Sequence, residues 1–249
     1  VVFSKTVAIN SNEFRQNIPV TLLARSKGIQ KYIVSVSPLQ GELSRQNNTQ
    51  TFYVEVIDGR QKILILANSP HPDVTAIRQS IEGNQNYEVK VSFADRVKET
   101  DIAGSSLVIL HQIPSLNSGA QGLLRQVSNK PVLYILGAQS NTSVFSTIQP
   151  VLSVTSTGGT QEALPHVTKD FYGFTLSEQA IRQLGSFAPL VTPFGSYSLK
   201  GPVSVLLAQQ IGKVTSTMPL LAFGSNGERK VGILAGEGIW RWRLEEFKE

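Results

Sequence analysis

The chain of 249 residues contains no cysteine, which removes disulfides, thiolate metal sites and thiolate nucleophiles at once. It has three histidines, His71, His111 and His166, and no His-x-x-x-His spacing, so no metal site is expected from them. Charged residues make up only 16%, and the net charge of +5 comes from scattered Lys and Arg rather than a polybasic run. That distribution argues against a nucleic-acid surface. No segment approaches the roughly 20 apolar residues that span a bilayer. There is no Gly-x-Gly-x-x-Gly after a strand and no Walker-type loop, so no cofactor is expected. There is no signal peptide, and the chain opens on Val1-Val2-Phe3, which leads us to expect a piece of a longer protein.

What is present divides at Asp58-Gly59-Arg60. Residues 1–58 read as all β. Phe3–Ile9 and Pro19–Ala24 are short strand candidates. Ile29–Val36 alternates through Tyr32, Val34 and Val36, and Thr51–Ile57 through Phe52, Val54 and Val56. Four strands without a helix predict a small immunoglobulin-like β-sandwich module, shorter than a complete sandwich of about seven strands. From residue 59 onward the period changes. Lys62–Ala67 is a continuous apolar run, the mark of a strand covered on both faces. A helix through Val74, Ile77 and Ile81, strands at Tyr87–Phe93 and Ser106–Leu110, a short helix at Ala120–Val127 and a strand at Val132–Leu136 follow, which predicts an α/β domain over 59–249 with a flavodoxin-like, mainly parallel sheet. Thr155–Thr160 and Pro189–Gly195 read as loops. Val203–Gln209, Leu220–Phe223 and Lys230–Leu234 read as strands, the last two joined at Ser225-Asn226-Gly227. Ile239–Phe247 reads as a terminal helix with Trp240, Leu244 and Phe247 on one face.

Pro131–Thr142 is a strand, a tight turn at Gly137 and a helix start, the arrangement in which many α/β enzymes lift a nucleophile above the sheet edge. The run Lys62 to Leu136 resembles the class I glutamine amidotransferase-like, flavodoxin-like fold. The run Arg229 to Leu244, with Gly236-Glu237-Gly238-Ile239-Trp240-Arg241-Trp242-Arg243, resembles a terminal signature of large bacterial membrane proteins. Tyr32–Glu42 with Asn47-Asn48 and Phe52–Val56 is similar to the last strands of the immunoglobulin-like module that precedes the amidotransferase-like domain there. Amidotransferases carry Gly-x-Cys-x-Gly at the elbow. Aligned on Gly137, this chain has Gln139 at the nucleophile and Asn141 at the second glycine, and Gly236-Glu237 where active members present a histidine. The resemblance therefore implies a pseudoenzyme, not an enzyme. Its role would be structural or interaction-based, in the periplasmic or extracellular part of a membrane-anchored bacterial protein. Its partners would be other domains of that protein or a protein partner, with membrane contact only through flanking segments.

In an open parallel sheet the loops after the strands share one edge, and ligands bind there. That places Asn68, His71, His111, Gln139, Ser140 and Glu237 as a candidate pocket. The alternative to a non-catalytic scaffold is a serine hydrolase or acyl-transfer enzyme using Ser140 with His71 or His111, with Asp73 orienting His71. The plainer reading makes Asp73 the cap of its helix, and Ser140 or Asn141 the cap of the helix starting at Thr142. Arg241, Trp242 and Arg243 form a candidate interface, with Trp240 expected in the core.

Overall fold

The computed structural model describes residues 1–11, 13–23, 26–42, 44–56, 59–118 and 120–245. They divide into two compact units, Val1–Gly59 and Arg60–Glu249, each described by itself.

In the first unit, β1 (Gly28–Ser35) and β2 (Thr49–Val56) pair antiparallel from Gly28↔Val56 to Ser35↔Thr49. Tyr32 stacks on its cross-strand partner Phe52 at 5.4 Å, the kind of pair that stabilises a hairpin face. Residues 3–9 and 19–23 form no strand, because apolar alternation without a neighbouring strand leaves backbone groups unpaired. Ala24, Ile57 and Asp58, which the expected elements and boundary included, lie outside the described residues. A sandwich requires two packed sheets. The described residues of this unit hold a two-stranded sheet only, which corrects the immunoglobulin-like expectation.

The second unit is built on a nine-stranded sheet. Its strands are β3 (Gln61–Ala67), β4 (Tyr87–Phe93), β5 (Leu107–His111), β6 (Val132–Ile135), β7 (Leu152–Val167), β8 (Leu190–Leu199), β9 (Val203–Ile211), β10 (Val214–Asn226) and β11 (Arg229–Leu234). The order across the sheet is β4-β3-β5-β6-β11-β10-β9-β7-β8. From β4 to β11 all neighbours are parallel, and from β11 to β8 all are antiparallel. The expected flavodoxin-like, mainly parallel sheet is therefore corrected to a mixed one. The difference lies in β7 and β8, whose Thr-, Ser- and Gly-rich centres read as loops. Here Gly158 and Gly159 take positive φ at a register break, and Gly195 lets β8 lie close to β7.

Alternation in β3 divides the core between the two sheet faces. Leu64 and Leu66 join Val108, Leu110, Val132, Tyr134 and Phe145 on one side. Ile63, Ile65 and Ala67 join Ile109, Ile135, Val74 and Ile77 on the other. The first layer is covered by α2 (Glu99–Gly104), which the sequence reading did not anticipate, by α3 (Gln121–Gln126) and by α4 (Thr142–Ile148). The second is covered by α1 (Pro72–Glu82) and by Ile239 and Trp242 at α6 (Trp240–Glu245). A further helix, α5 (Glu178–Leu184), is capped by Ser177. Phe247, expected on the α6 face, lies outside the described residues. Among the described residues no helix is long and apolar enough to cross a membrane.

Candidate functional site

β3 has β4 on one side and β5 on the other, so the chain leaves its end in one direction and returns on the opposite side. That is a topological switch point, where ligands of parallel sheets bind. Asn68 and His71 follow β3, His111 ends β5 and Gln112 follows it, and Gly137 to Ser140 follow β6. Glu237 follows β11 and is clamped by a pair of backbone bonds to Val191 of β8, at 2.9 and 3.0 Å. The supposed loop at residues 189–195 thus supports the site.

His71 caps α1: its Nδ1 accepts the Asp73 N–H at 3.2 Å, and Pro72 occupies the first helical position. Asp73 is not that cap. Its carboxylate is fully buried and accepts the N–H of Gly238 at 2.8 Å and of Trp240 at 3.0 Å, tying α1 to the start of α6. Its Oδ2 lies 3.4 Å from His111 Nε2 and 3.6 Å from His71 Nδ1. Burial pushes this carboxyl up, but the bonds from His111 and the two backbone N–H groups together outweigh it and hold it below the usual carboxylate value. His71 is lowered, first by burial and then by its neighbour His111, so it is neutral near pH 7. The two imidazoles lie 4.6 Å apart, centre to centre. His111 is 1% exposed, whereas the His71 side chain is 23% exposed and alone presents the cluster to solvent.

On its other side His71 directs Nε2 to Glu237 Oε2 at 3.3 Å. Glu237 also accepts the Ala138 N–H at 3.0 Å and a bond from Gln112 Nε2. Gln112 Oε1 accepts the Gln139 N–H at 2.7 Å. Gln112 has φ of 54°, uncommon for a residue with a side chain, and these two bonds fix it there. Asn68 Nδ2 donates to Gln139 Oε1 at 2.6 Å. Gly137 is required by this packing, since a Cβ there would lie 2.5 Å from Glu237 Oε2. A cleft of about 490 Å³ opens beside His71, lined by Pro70, Pro72, Val74, Thr75, Val91 and Phe93.

The structure thus brings Asn68, His71, His111, Gln139 and Glu237 into one hydrogen-bonded group and adds Asp73 and Gln112. Ser140 sits beside it but faces inward. Its Oγ accepts the Gly137 N–H at 3.0 Å, and it is 6% exposed. No imidazole bonds to Ser140 among the described residues, so the serine-nucleophile alternative is corrected. The cap of α4 is Asn141, whose Oδ1 accepts the Val144 N–H at 3.0 Å. His166 is exposed on β7, away from the group. The tryptophans are reversed from expectation: Trp240 is 36% exposed, and Trp242 stacks on Phe187 at 5.0 Å while donating to the Ala188 carbonyl at 2.6 Å. Arg241 donates to the Pro189 carbonyl. Arg243 is half-buried on α6.

The expectation of a scaffold without chemistry is corrected by the buried His71/Asp73/His111 cluster. The resemblance expects a histidine after β11, whereas His71 follows β3 and His111 ends β5.

No protein-family model matches the chain, and no curated protein sequence matches it. Among solved structures it is similar to a cold-adapted β-galactosidase from Rahnella sp. R3 (11% identity, TM-score 0.44), covering 76% of this chain and 30% of that one. It is also similar to a ThuA-like protein from Bacteroides uniformis (12% identity, TM-score 0.43), covering 77% and 91% of the two chains. A third is an exo-β-1,4-mannosidase from an Opitutaceae bacterium (9% identity, TM-score 0.44), covering 76% and 33%. With no family model matching, a mixed sheet in the second unit and a two-stranded sheet in the described residues of the first, the named resemblance is corrected. Likenesses at this level assign neither a family nor an activity to the chain.

Proposed function

We propose that the crevice at the ends of β3, β5, β6 and β11 is a hydrolytic active site that cleaves an ester or amide in a small molecule. The observation that carries this is the convergence of two imidazoles and a buried carboxylate at 3.4–3.6 Å, with one imidazole opening onto a cleft. With no cysteine in the chain and Ser140 turned inward, the attacking group is water. The cluster activates that water beside His71. Asp73 fixes the position of His111, and Glu237 fixes the ring of His71 through Nε2. The cleft is of small-molecule size, and Val74, Val91 and Phe93 give the substrate an apolar wall. We further place this domain outside the cytoplasm, in a membrane-anchored protein whose other domains are its partners. The small charged fraction of the sequence supports that location.

The test is a panel of chromogenic esters, amides and glycosides assayed with the intact chain and with His71→Ala and His111→Ala. Hydrolysis of an ester or amide, falling about 100-fold or more in both variants, is the expected result. No turnover of any ester or amide, or turnover indifferent to both substitutions, overturns the reading.

A further inference from the structure

We propose that His71, Asp73 and His111 bind one divalent transition-metal ion of the zinc class, through His71 Nδ1, Asp73 Oδ2 and His111 Nε2. One ligand atom from each residue can be chosen so that all lie within 4.8 Å of one another. The two measured separations from Asp73 Oδ2 are 3.4 and 3.6 Å. These are long for a direct charge-assisted hydrogen bond, which closes to about 2.7–2.9 Å. They suit atoms sharing an ion: ligands about 2.0–2.1 Å from a tetrahedral zinc stand roughly 3.3 Å from each other. Two imidazoles and one carboxylate are also a donor set that zinc favours.

The surroundings are those of a ligand set rather than of a lone ion pair. A metal-bound histidine usually donates its second ring N–H to a carboxylate, and His71 Nε2 lies 3.3 Å from Glu237 Oε2. Glu237 is in turn held by the Ala138 N–H and Gln112. Asp73 is held by the Gly238 and Trp240 N–H groups, so its carboxylate is fixed before any ion arrives. The ion takes the Nδ1 lone pair that now accepts the Asp73 N–H, exchanging a hydrogen bond for a coordinate bond. Three protein ligands leave a position for water, as in catalytic rather than structural sites. His71 is the ligand at the cleft, so that position opens there. The ion's role in acidifying the attacking water rests on the hydrolytic reading above, whereas its binding does not.

The experiment uses the full chain without a histidine tag, stripped with a chelator and dialysed. Zn²⁺ is titrated by calorimetry and Co²⁺ by visible absorption. One ion per chain is expected, with Co²⁺ bands of low coordination number. His71→Ala and His111→Ala should each weaken Zn²⁺ binding at least 100-fold, Glu237→Gln about 10-fold, and His166→Ala not at all. Urea unfolding of each variant accompanies the titrations. If His111→Ala does not fold, His71→Ala at the more exposed position carries the test. Absent stoichiometric binding, or an affinity unchanged in folded His71→Ala, overturns the proposal. Hydrolysis that persists after chelation overturns the ion's role in the reaction and leaves the hydrolytic reading standing. A bound ion without turnover of the ester and amide panel does the reverse.

Discussion

Removing the Asp73 carboxylate would orphan two backbone donors inside the protein, the N–H groups of Gly238 and Trp240. A buried donor left without a partner costs about 1–3 kcal/mol. Asp73→Ala should therefore lower stability by about 3 kcal/mol in urea unfolding, with Asp73→Asn losing less because one carbonyl oxygen remains. Gly137→Ala removes no polar group. Its Cβ would meet Glu237 Oε2 and Gln112 Cδ at 2.5 and 2.8 Å, so the carboxylate must move. Hydrolysis should fall at least 10-fold in Gly137→Ala, read as kcat/KM, while the urea midpoint shifts little. Tyr197 offers a separate pH test. Burial raises its phenol to about 12, against bonds from Gln209 and Thr192 that lower it. A phenol raised above its unfolded value of about 10 gives stability that is whole below pH 10 and is lost as pH climbs toward 12. The alkaline loss of stability should be shallower in Tyr197→Phe, although that variant also loses the bond to the Pro193 carbonyl.

At the scale of elements, the strands buried on both faces were plain in the sequence, because Lys62–Ala67 and its neighbours are unbroken apolar runs. The antiparallel half was partly hidden. β7 carries Thr155-Ser156-Thr157-Gly158-Gly159-Thr160, which has the composition of a loop, yet it pairs with β8 on both sides of the glycines. Tertiary pairing outweighed local preference there. Gly195→Ala should split that pairing, since its Cβ would fall 2.2 Å from the Thr155 carbonyl oxygen. A loss of strand signal and a lowered melting temperature are the expected readings. The α4 start shows a smaller, local effect. Asn141→Ala removes the cap on Val144 and should cost about 1 kcal/mol in urea unfolding. Much of the site was legible from strand ends, because the loops after parallel strands share an edge. Asp73 was legible as a helix cap or as a partner of His71 but not as the buried acceptor of two distant N–H groups, and Gln112 followed His111 with no motif around it. Their roles depend on partners more than a hundred residues away, such as Gly238 for Asp73 and Glu237 for Gln112, and local patterning carries no trace of such distances.

For the whole molecule, the two units differ in what they bury. In residues 1–59 Ile29, Ile33, Val34, Tyr53 and Val54 are all exposed, and the described residues there form one hairpin. A lone two-stranded hairpin is marginal in water. A peptide of residues 1–59 should therefore show no cooperative thermal transition, while residues 60–249, with a core on both faces of the sheet, should unfold in one step by circular dichroism. A cooperative transition in the short peptide would contradict this account.

β11 is the middle strand of the nine, with β6 on one side and β10 on the other, yet it comes last among them in the chain. During synthesis, therefore, the parallel half and the antiparallel half emerge from the ribosome before the strand that joins them. Until β11 is made, β6 and β10 each present an open edge to other nascent chains, and Glu237 does not yet exist to hold the elbow. The crevice is thus withheld until β11 has been made, and a chain stalled before Arg229 would lack it and be prone to associate.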